Sequence, residues 1–225
     1  MPKAKSKVPP KSPTNEAVLL HAVLAQVPFE GWTEAALRNG AEASGLTLPV
    51  AQDIFPNVGA AVSAFSAWAN QTMLARIAAE KLYDKMRVRD KVAYAVRARL
   101  EALTPHREAQ RRLTLWYAMP HHAPLAVRNL ATLCDAVWQA AGDTSRDYNF
   151  YTKRVLLSYV VKTTTLFWLS DDSPNAAATW DFLDRRIAEV LKLGKAAGSL
   201  GNLPEKLEKL SKVSAWAARW RSVAP

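Results

Sequence analysis

The stretch Phe29-Glu30-Gly31-Trp32-Thr33-Glu34-Ala35-Ala36-Leu37-Arg38-Asn39-Gly40-Ala41-Glu42-Ala43-Ser44-Gly45-Leu46-Thr47-Leu48-Pro49-Val50-Ala51-Gln52-Asp53-Ile54 decides the fold class. Thr33 stands where a helix N-cap should stand. Ala35, Ala36, Leu37, Gly40 and Ala41 share or border one face, and Gly45 ends the helix. Pro49 opens a short helix to Ile54, because a missing N–H costs nothing in a first turn. Upstream, Thr14 or Asn15 caps a helix through Val27, which Pro28 stops. Downstream, Pro56 and Gly59 break the chain before a long helix from about Gly59 to Leu82. Two short helices about a glycine turn, with a helix before and a long one after, is the order of a helix-turn-helix module on a helical domain.

The remaining sequence repeats that style. Helices are expected over Arg89–Leu103, His106–Met119 and Pro124–Ala141, and from Ser145 or Asp147 to Leu169. Ser173 and Pro174 read as an N-cap and first helical residue of a helix to about Leu193, which frays at Gly194, Gly198 and Gly201. A last helix covers Pro204–Trp220. With 8 glycines in 225 residues and half the chain hydrophobic, a sandwich or barrel is disfavoured, and an all-α fold of about ten helices is expected. One cysteine, Cys134, rules out a disulfide framework within the chain. The longest weakly charged stretch, Val155–Ser170, contains Lys162 and falls short of the roughly 20 apolar residues a spanning helix needs.

The net charge of +10 is unevenly distributed. Residues 1–13 carry Lys3, Lys5, Lys7 and Lys11 and no acid. Residues 192–225 carry seven basic and two acidic side chains, which leaves the body between the ends near neutrality. Basic ends on a neutral body suit an anionic membrane at least as well as DNA. The N-terminal stretch has four prolines and no apolar segment, so it reads as a disordered tail rather than a secretory signal, and it is a poor mitochondrial presequence. The expected location is a bacterial cytoplasm, peripheral on the inner membrane.

Phe29, Trp32, Thr33, Ala36 and Leu37, followed by Ala43-Ser44-Gly45-Leu46, look like the start of a TetR-type repressor. The third helix departs from that pattern. A reading helix needs basic or amide side chains for phosphates and base edges. Residues 28–70 hold Arg38 alone against Glu30, Glu34, Glu42 and Asp53. Phosphate neutralisation supplies most non-specific affinity, so no nucleic-acid partner is expected. Further on, Asp147-Tyr148-Asn149-Phe150-Tyr151-Thr152-Lys153-Arg154, then Asp171-Asp172-Ser173-Pro174, then Thr179-Trp180-Asp181-Phe182-Leu183, resemble the Coq-nine family of ubiquinone-biosynthesis accessory proteins, over roughly residues 15–195. The resemblance implies a TetR-like fold that has lost DNA binding. It also implies a non-catalytic protein that binds polyprenyl quinone intermediates and presents them to a di-iron hydroxylase, docking to membranes through a C-terminal amphipathic helix. The alternative is a TetR-type regulator with an apolar ligand.

The organisation that follows is a basic tail over 1–13, a degenerate helix-turn-helix module over 14–58, a helical lipid-binding body over 59–195 and an amphipathic membrane helix over 203–221. Candidate lipid-lining residues are Phe65, Trp68, Met73, Trp116, Tyr159 and Trp168. Aromatic stripes at helical spacing also make ordinary core, and both readings stand on the sequence. The resemblance assigns the hydroxylase-binding patch to Asp147, Asn149, Phe150, Tyr151 and Arg154, with the face of Leu130, Val137 and Trp138 as its neighbour. Read as residues alone, the same stretch is a helix cap. On the last helix Leu203, Leu207, Leu210, Val213 and Trp220 fall within an arc of about 140°, with Trp216 at its edge. That is an interfacial membrane helix, or a last helix docked on its own domain or on a second copy. A homodimer therefore stays open.

No catalytic constellation occurs: Glu-x-x-His, H-E-x-x-H, G-x-S-x-G and Walker A patterns are all missing. His121-His122 reads as a helix start rather than a metal site, and Cys134 as a buried, inert thiol. No cofactor or metal is expected.

Overall fold

The computed structural model describes residues 14–144 and 148–199. Among them nine α-helices and four short 3-10 turns follow one another, with no strand, so the fold is all-α as expected. The expected tail over 1–13 and the expected membrane helix over 203–221, with Leu203, Leu207, Leu210, Val213, Trp216 and Trp220, lie outside the described residues. The chain divides into two compact units between Val62 and Ser63.

The first unit contains α1 (Asn15–Glu30), α2 (Glu34–Ser44) and α3 (Leu48–Ile54). Thr14 Oγ1 accepts from Ala17 N–H at 3.3 Å and so caps α1. The helix does not stop before Pro28. It runs through it to Glu30, because Pro28 falls in the last turn and Gly31 N–H still closes onto the Val27 carbonyl at 2.8 Å. Thr33 Oγ1 accepts from Ala36 N–H at 3.2 Å to start α2. Gly45, at φ 71°, ends it in the left-handed conformation that glycine adopts without strain. Gly40 passes so close to α1 that a Cβ there would lie 2.6 Å from Val23 Cγ2. Pro49 sits in the first turn of α3, as its sequence position required.

The helix α4 (Val58–Ala79) carries the chain into the second unit, which continues with α5 (Val88–Leu103), α6 (Arg107–Tyr117), α7 (Ala123–Ala140), α8 (Tyr148–Leu169) and α9 (Ala177–Ser199). Phe65, Met73, Leu100, Leu103, Leu113, Val137 and Val160 are fully buried there. Three boundaries differ from the sequence reading. First, α4 ends at Ala79, short of Leu82, where the Glu80 carboxylate accepts from Leu82 N–H at 3.0 Å and turns the chain toward buried Tyr83. Second, Pro174–Ala176 forms a 3-10 turn with Asn175 and Ala176 left-handed, so α9 begins at Ala177. Ser173 nevertheless caps, since its Oγ accepts from Ala178 N–H at 3.0 Å. Third, α9 continues through Gly194 and Gly198 to Ser199. An interior glycine costs a helix only about 1 kcal/mol.

Two arginines of α6 close the end of α8. Arg107 donates to the carbonyls of Trp168 and Asp171 at 2.5 and 2.6 Å, and Arg111 to that of Leu169 at 2.7 Å. Cations at a helix C-terminus satisfy its free carbonyls and complement its dipole.

Candidate functional site

The corner between α7 and α8 is built on one buried ion cluster. Arg154, one turn and a half into α8, leaves 4% of its side chain exposed. Its Nε donates to Asp135 of α7, its Nη1 pairs with Asp143 at 3.5 Å, and Nη1 also donates to the Phe150 carbonyl at 3.1 Å. Asp143, itself 5% exposed, takes Lys153 Nζ at 2.6 Å. The Trp138 indole N–H donates to the Lys153 carbonyl at 3.2 Å, and the Lys153 ammonium lies 5.5 Å from the Trp138 ring. The Arg154 guanidinium lies 3.3 Å from the centroid of Phe150. A buried charge needs a partner, and here two carboxylates and a carbonyl supply it.

This cluster sorts the residues expected at a partner surface. Arg154 and Val137 face the interior, and so does Leu133 beside them. Leu130, Trp138 and Phe150 are half-buried, while Tyr151 is exposed and meets Phe150 edge-to-face at 5.1 Å. Asp147 lies outside the described residues, and Asn149 is described only as part of the α8 backbone. Arg154 therefore works as the internal clamp that fixes Phe150 and, next to it, the exposed Tyr151. Asp135 and Asp143 were not singled out from the sequence. They lie 19 and 11 residues from Arg154, a spacing no local periodicity links.

The candidate lipid-lining residues are spread over α4, α6 and α8. Phe65 and Met73 are fully buried, Trp168 nearly so, and Trp68 is half-buried. Phe65 stacks on Trp68 at 5.9 Å, and both meet the edge of His106. Trp116 stacks on His122, ring centroids 3.3 Å apart. The Arg107 guanidinium lies 5.3 Å from the Trp168 ring. Tyr159 is exposed, and its hydroxyl accepts from Arg186 at 3.2 Å.

Cys134 is fully buried, and burial pushes its thiol far above the ordinary range. Among the described residues no group of three or more His, Cys, Asp and Glu could hold a metal ion, and no helix is long and apolar enough to cross a membrane. In the first unit, Leu48 and Val50 of α3 are exposed beside Gln52 and Asp53. A small cleft of about 70 Å³ runs between α1, α2 and α3, lined by Leu19, Leu37, Ala51 and Phe55 among others.

Residues 123–194, which contain the whole α7–α8 corner, match the family model COQ9. The ubiquinone biosynthesis protein COQ9 of Drosophila melanogaster, a mitochondrial protein, is 38% identical over 79% of this chain and 55% of its own length. Its counterpart in Homo sapiens is 32% identical over 84% of this chain and 61% of its own length. Over most of its own length the chain is therefore similar to COQ9 proteins. It spans little more than half the length of these COQ9 relatives. A TetR transcriptional regulator from Nitrosomonas europaea superposes with a TM-score of 0.65 at 18% identity, covering 78% of this chain and 97% of that one. That likeness gives this chain a TetR-like fold.

Proposed function

We propose that this chain is a non-catalytic accessory protein of ubiquinone biosynthesis. It holds a polyprenyl quinone intermediate among the helices of its second unit and presents it to a di-iron hydroxylase at an anionic membrane surface. The α7–α8 corner is the docking face, and residues 203–221 supply the membrane contact, in a bacterial cytoplasm at the inner membrane. The observation that carries this reading is the corner itself. A buried arginine clamp holds two aromatics at the start of α8, with Tyr151 left exposed, inside the segment that matches the family. Exposed aromatics beside a rigid support are the usual energetic centre of a docking face. The names of the relatives add ubiquinone biosynthesis and carry no catalytic term. Because Phe65 and Met73 are fully buried, a lipid chain enters only as α4 parts from its neighbours in the second unit.

The test is binding of purified full chain to the quinone hydroxylase of the same organism. Tyr151→Ala should weaken it by about 2 kcal/mol or more while leaving the unfolding midpoint almost unchanged. An unchanged affinity would remove the docking face from the proposal. Organic extracts of the purified protein should contain isoprenoid quinones or their precursors, and extracts free of lipid would remove the cargo.

A further inference from the structure

Residues 81–91, which join α4 to α5 and begin α5, carry Lys81, Lys85, Arg87, Arg89 and Lys91 against Asp84 and Asp90. Asp90 is engaged by Arg87 at 2.8 Å, and the Lys91 ammonium lies 5.4 Å from the Tyr83 ring. Lys81, Lys85 and Arg89 stay exposed, and none of the three forms an ion pair among the described residues. Two aliphatic side chains stand out among these cations: Leu82 is 58% exposed and Val88 54%. Leu82 follows Lys81 directly, and Val88 lies between Arg87 and Arg89.

The backbone that displays them is firmly held. Tyr83 is buried, meets the Tyr94 ring edge-to-face at 5.7 Å, and donates its hydroxyl to the Lys91 carbonyl at 3.4 Å. The N–H groups of Lys85 and Met86 close onto the carbonyls of Leu82 and Tyr83, each at 3.0 Å. Those of Asp90 and Lys91 both close onto the Arg87 carbonyl at 2.9 Å. Leu82 and Val88 are therefore presented by the fold rather than released by slack in the chain. One exposed leucine is ordinary on a protein surface. Two aliphatic tips on one tied turn, set among unpaired cations, need a partner that takes both. Protein interfaces are depleted of lysine and enriched in aromatics at their core. An anionic bilayer suits the residues present. Short aliphatic tips enter the headgroup boundary, and long cationic stems snorkel beside them.

We propose that the connection between α4 and α5 is a second contact with an anionic bilayer. Leu82 and Val88 enter the headgroup layer, and Lys81, Lys85 and Arg89 pair with lipid phosphates. This inference rests on the reading that the chain works at a membrane surface, and it names which side of the second unit meets that surface. Two short tips anchor less than a single acyl chain, which itself binds only marginally. The connection therefore strengthens and orients a binding that residues 203–221 begin, and does not replace it.

The experiment partitions the full chain onto vesicles of phosphatidylcholine with about a third phosphatidylglycerol. Each cation near such a surface is worth about fivefold in affinity, so Lys85→Gln with Arg89→Gln should weaken partitioning at least about tenfold. Leu82→Gln with Val88→Gln should weaken it by a similar factor. All four side chains are exposed, so the unfolding midpoint should stay where it is. A direct readout is Leu82→Cys labelled with a nitrobenzoxadiazole fluorophore, which reacts there because Cys134 is buried. On the vesicles its emission should shift to the blue and be quenched by doxyl groups on the lipid chains. If the full chain binds while both double variants bind equally well, or while the label is unmoved, the second contact is overturned and the C-terminal one stands. If only the Leu82 and Val88 pair matters, the anionic assignment is overturned and the tips belong to a protein partner. If the full chain binds no vesicle, the membrane reading itself fails and the second contact with it.

Discussion

Arg154 and Asp171 show how much a single side chain can hold in this chain. Arg154 satisfies two carboxylates that have little other access to water. Arg154→Ala takes a cation from both Asp143, which keeps its pair with Lys153, and Asp135, and breaking a buried pair of this kind costs about 3 kcal/mol. Urea unfolding should report that loss, and a change below about 1 kcal/mol would mean the cluster is hydrated like an exposed pair. The Asp171 carboxylate accepts from the Thr179 hydroxyl at 2.5 Å and from the N–H groups of Ser173 and Thr179 at 2.8 and 2.9 Å. Those bonds hold its pKa down to about 2, from 3.8. The folded state thus binds its proton later than the unfolded chain. The stabilisation is complete above about pH 4 and is lost as pH falls toward 2. Asp171→Asn should flatten the stability profile in that window and leave its slope above pH 5 unchanged. Both residues stand in motifs visible in the sequence, yet their partners are not local. Arg99 left a different trace, a charge at a core register of α5 between Val96 and Leu103, which periodicity alone could have flagged.

Among the elements, the α1–α2 pair is the most exacting. Gly40→Ala would ordinarily favour a helix by about 1 kcal/mol. Here the new Cβ would meet Val23 Cγ2 at 2.6 Å and the Val23 backbone at 2.8 and 2.9 Å. A side-chain tip can turn away and a backbone cannot, so overpacking wins and the net loss should be about 1–3 kcal/mol. Thermal unfolding of the variant tests this, and a raised midpoint would show that the two helices part easily. Helix existence was legible throughout because caps and apolar spacing are local. Thr14, Thr33, Gly45 and Pro49 all act where their chemistry placed them. The errors fell at ends settled by tertiary partners. Asn175 and Ala176 turn left-handed in the turn where the Trp180 indole N–H takes the Asn175 carbonyl at 2.9 Å, and no propensity of Pro-Asn-Ala announces that.

At the scale of the molecule, the distribution of charge sets the choice between two polyanions. The acidic stretch over residues 28–70 and the apolar exposed face of α3 oppose DNA, whereas the basic ends favour an anionic surface of either kind. Mobility shifts at about 0.15 M salt should show no sequence-specific DNA binding. The full chain should float with vesicles containing anionic lipid, and truncation at Gly201 should abolish flotation. A specific DNA shift that survives removal of residues 1–13 and 203–225 would restore the regulator reading, and flotation of the truncated chain would move the membrane contact elsewhere. The TetR-like order was readable from one glycine turn and its flanking helices. The proposed lipid site was less so, because spacing distinguishes a buried face from an exposed one but not a lining residue from a filler. Phe65 and Met73 satisfy both descriptions.

The stack of Trp116 on His122 gives the molecule an optical property. An imidazolium lying flat on an indole quenches its emission, whereas a neutral imidazole does so far less. Partial burial, helped by His121, lowers the His122 pKa below the ordinary histidine value of 6.5. The emission of Trp116 should therefore dim at a pH lower than a free histidine would set, and the dimming should vanish in His122→Gln. Since Trp116 also stands beside Tyr117 in α6, any molecule that settles in the second unit and parts these rings would brighten the protein at acid pH. One of its eight tryptophans would then serve as a lamp switched by whatever binds there.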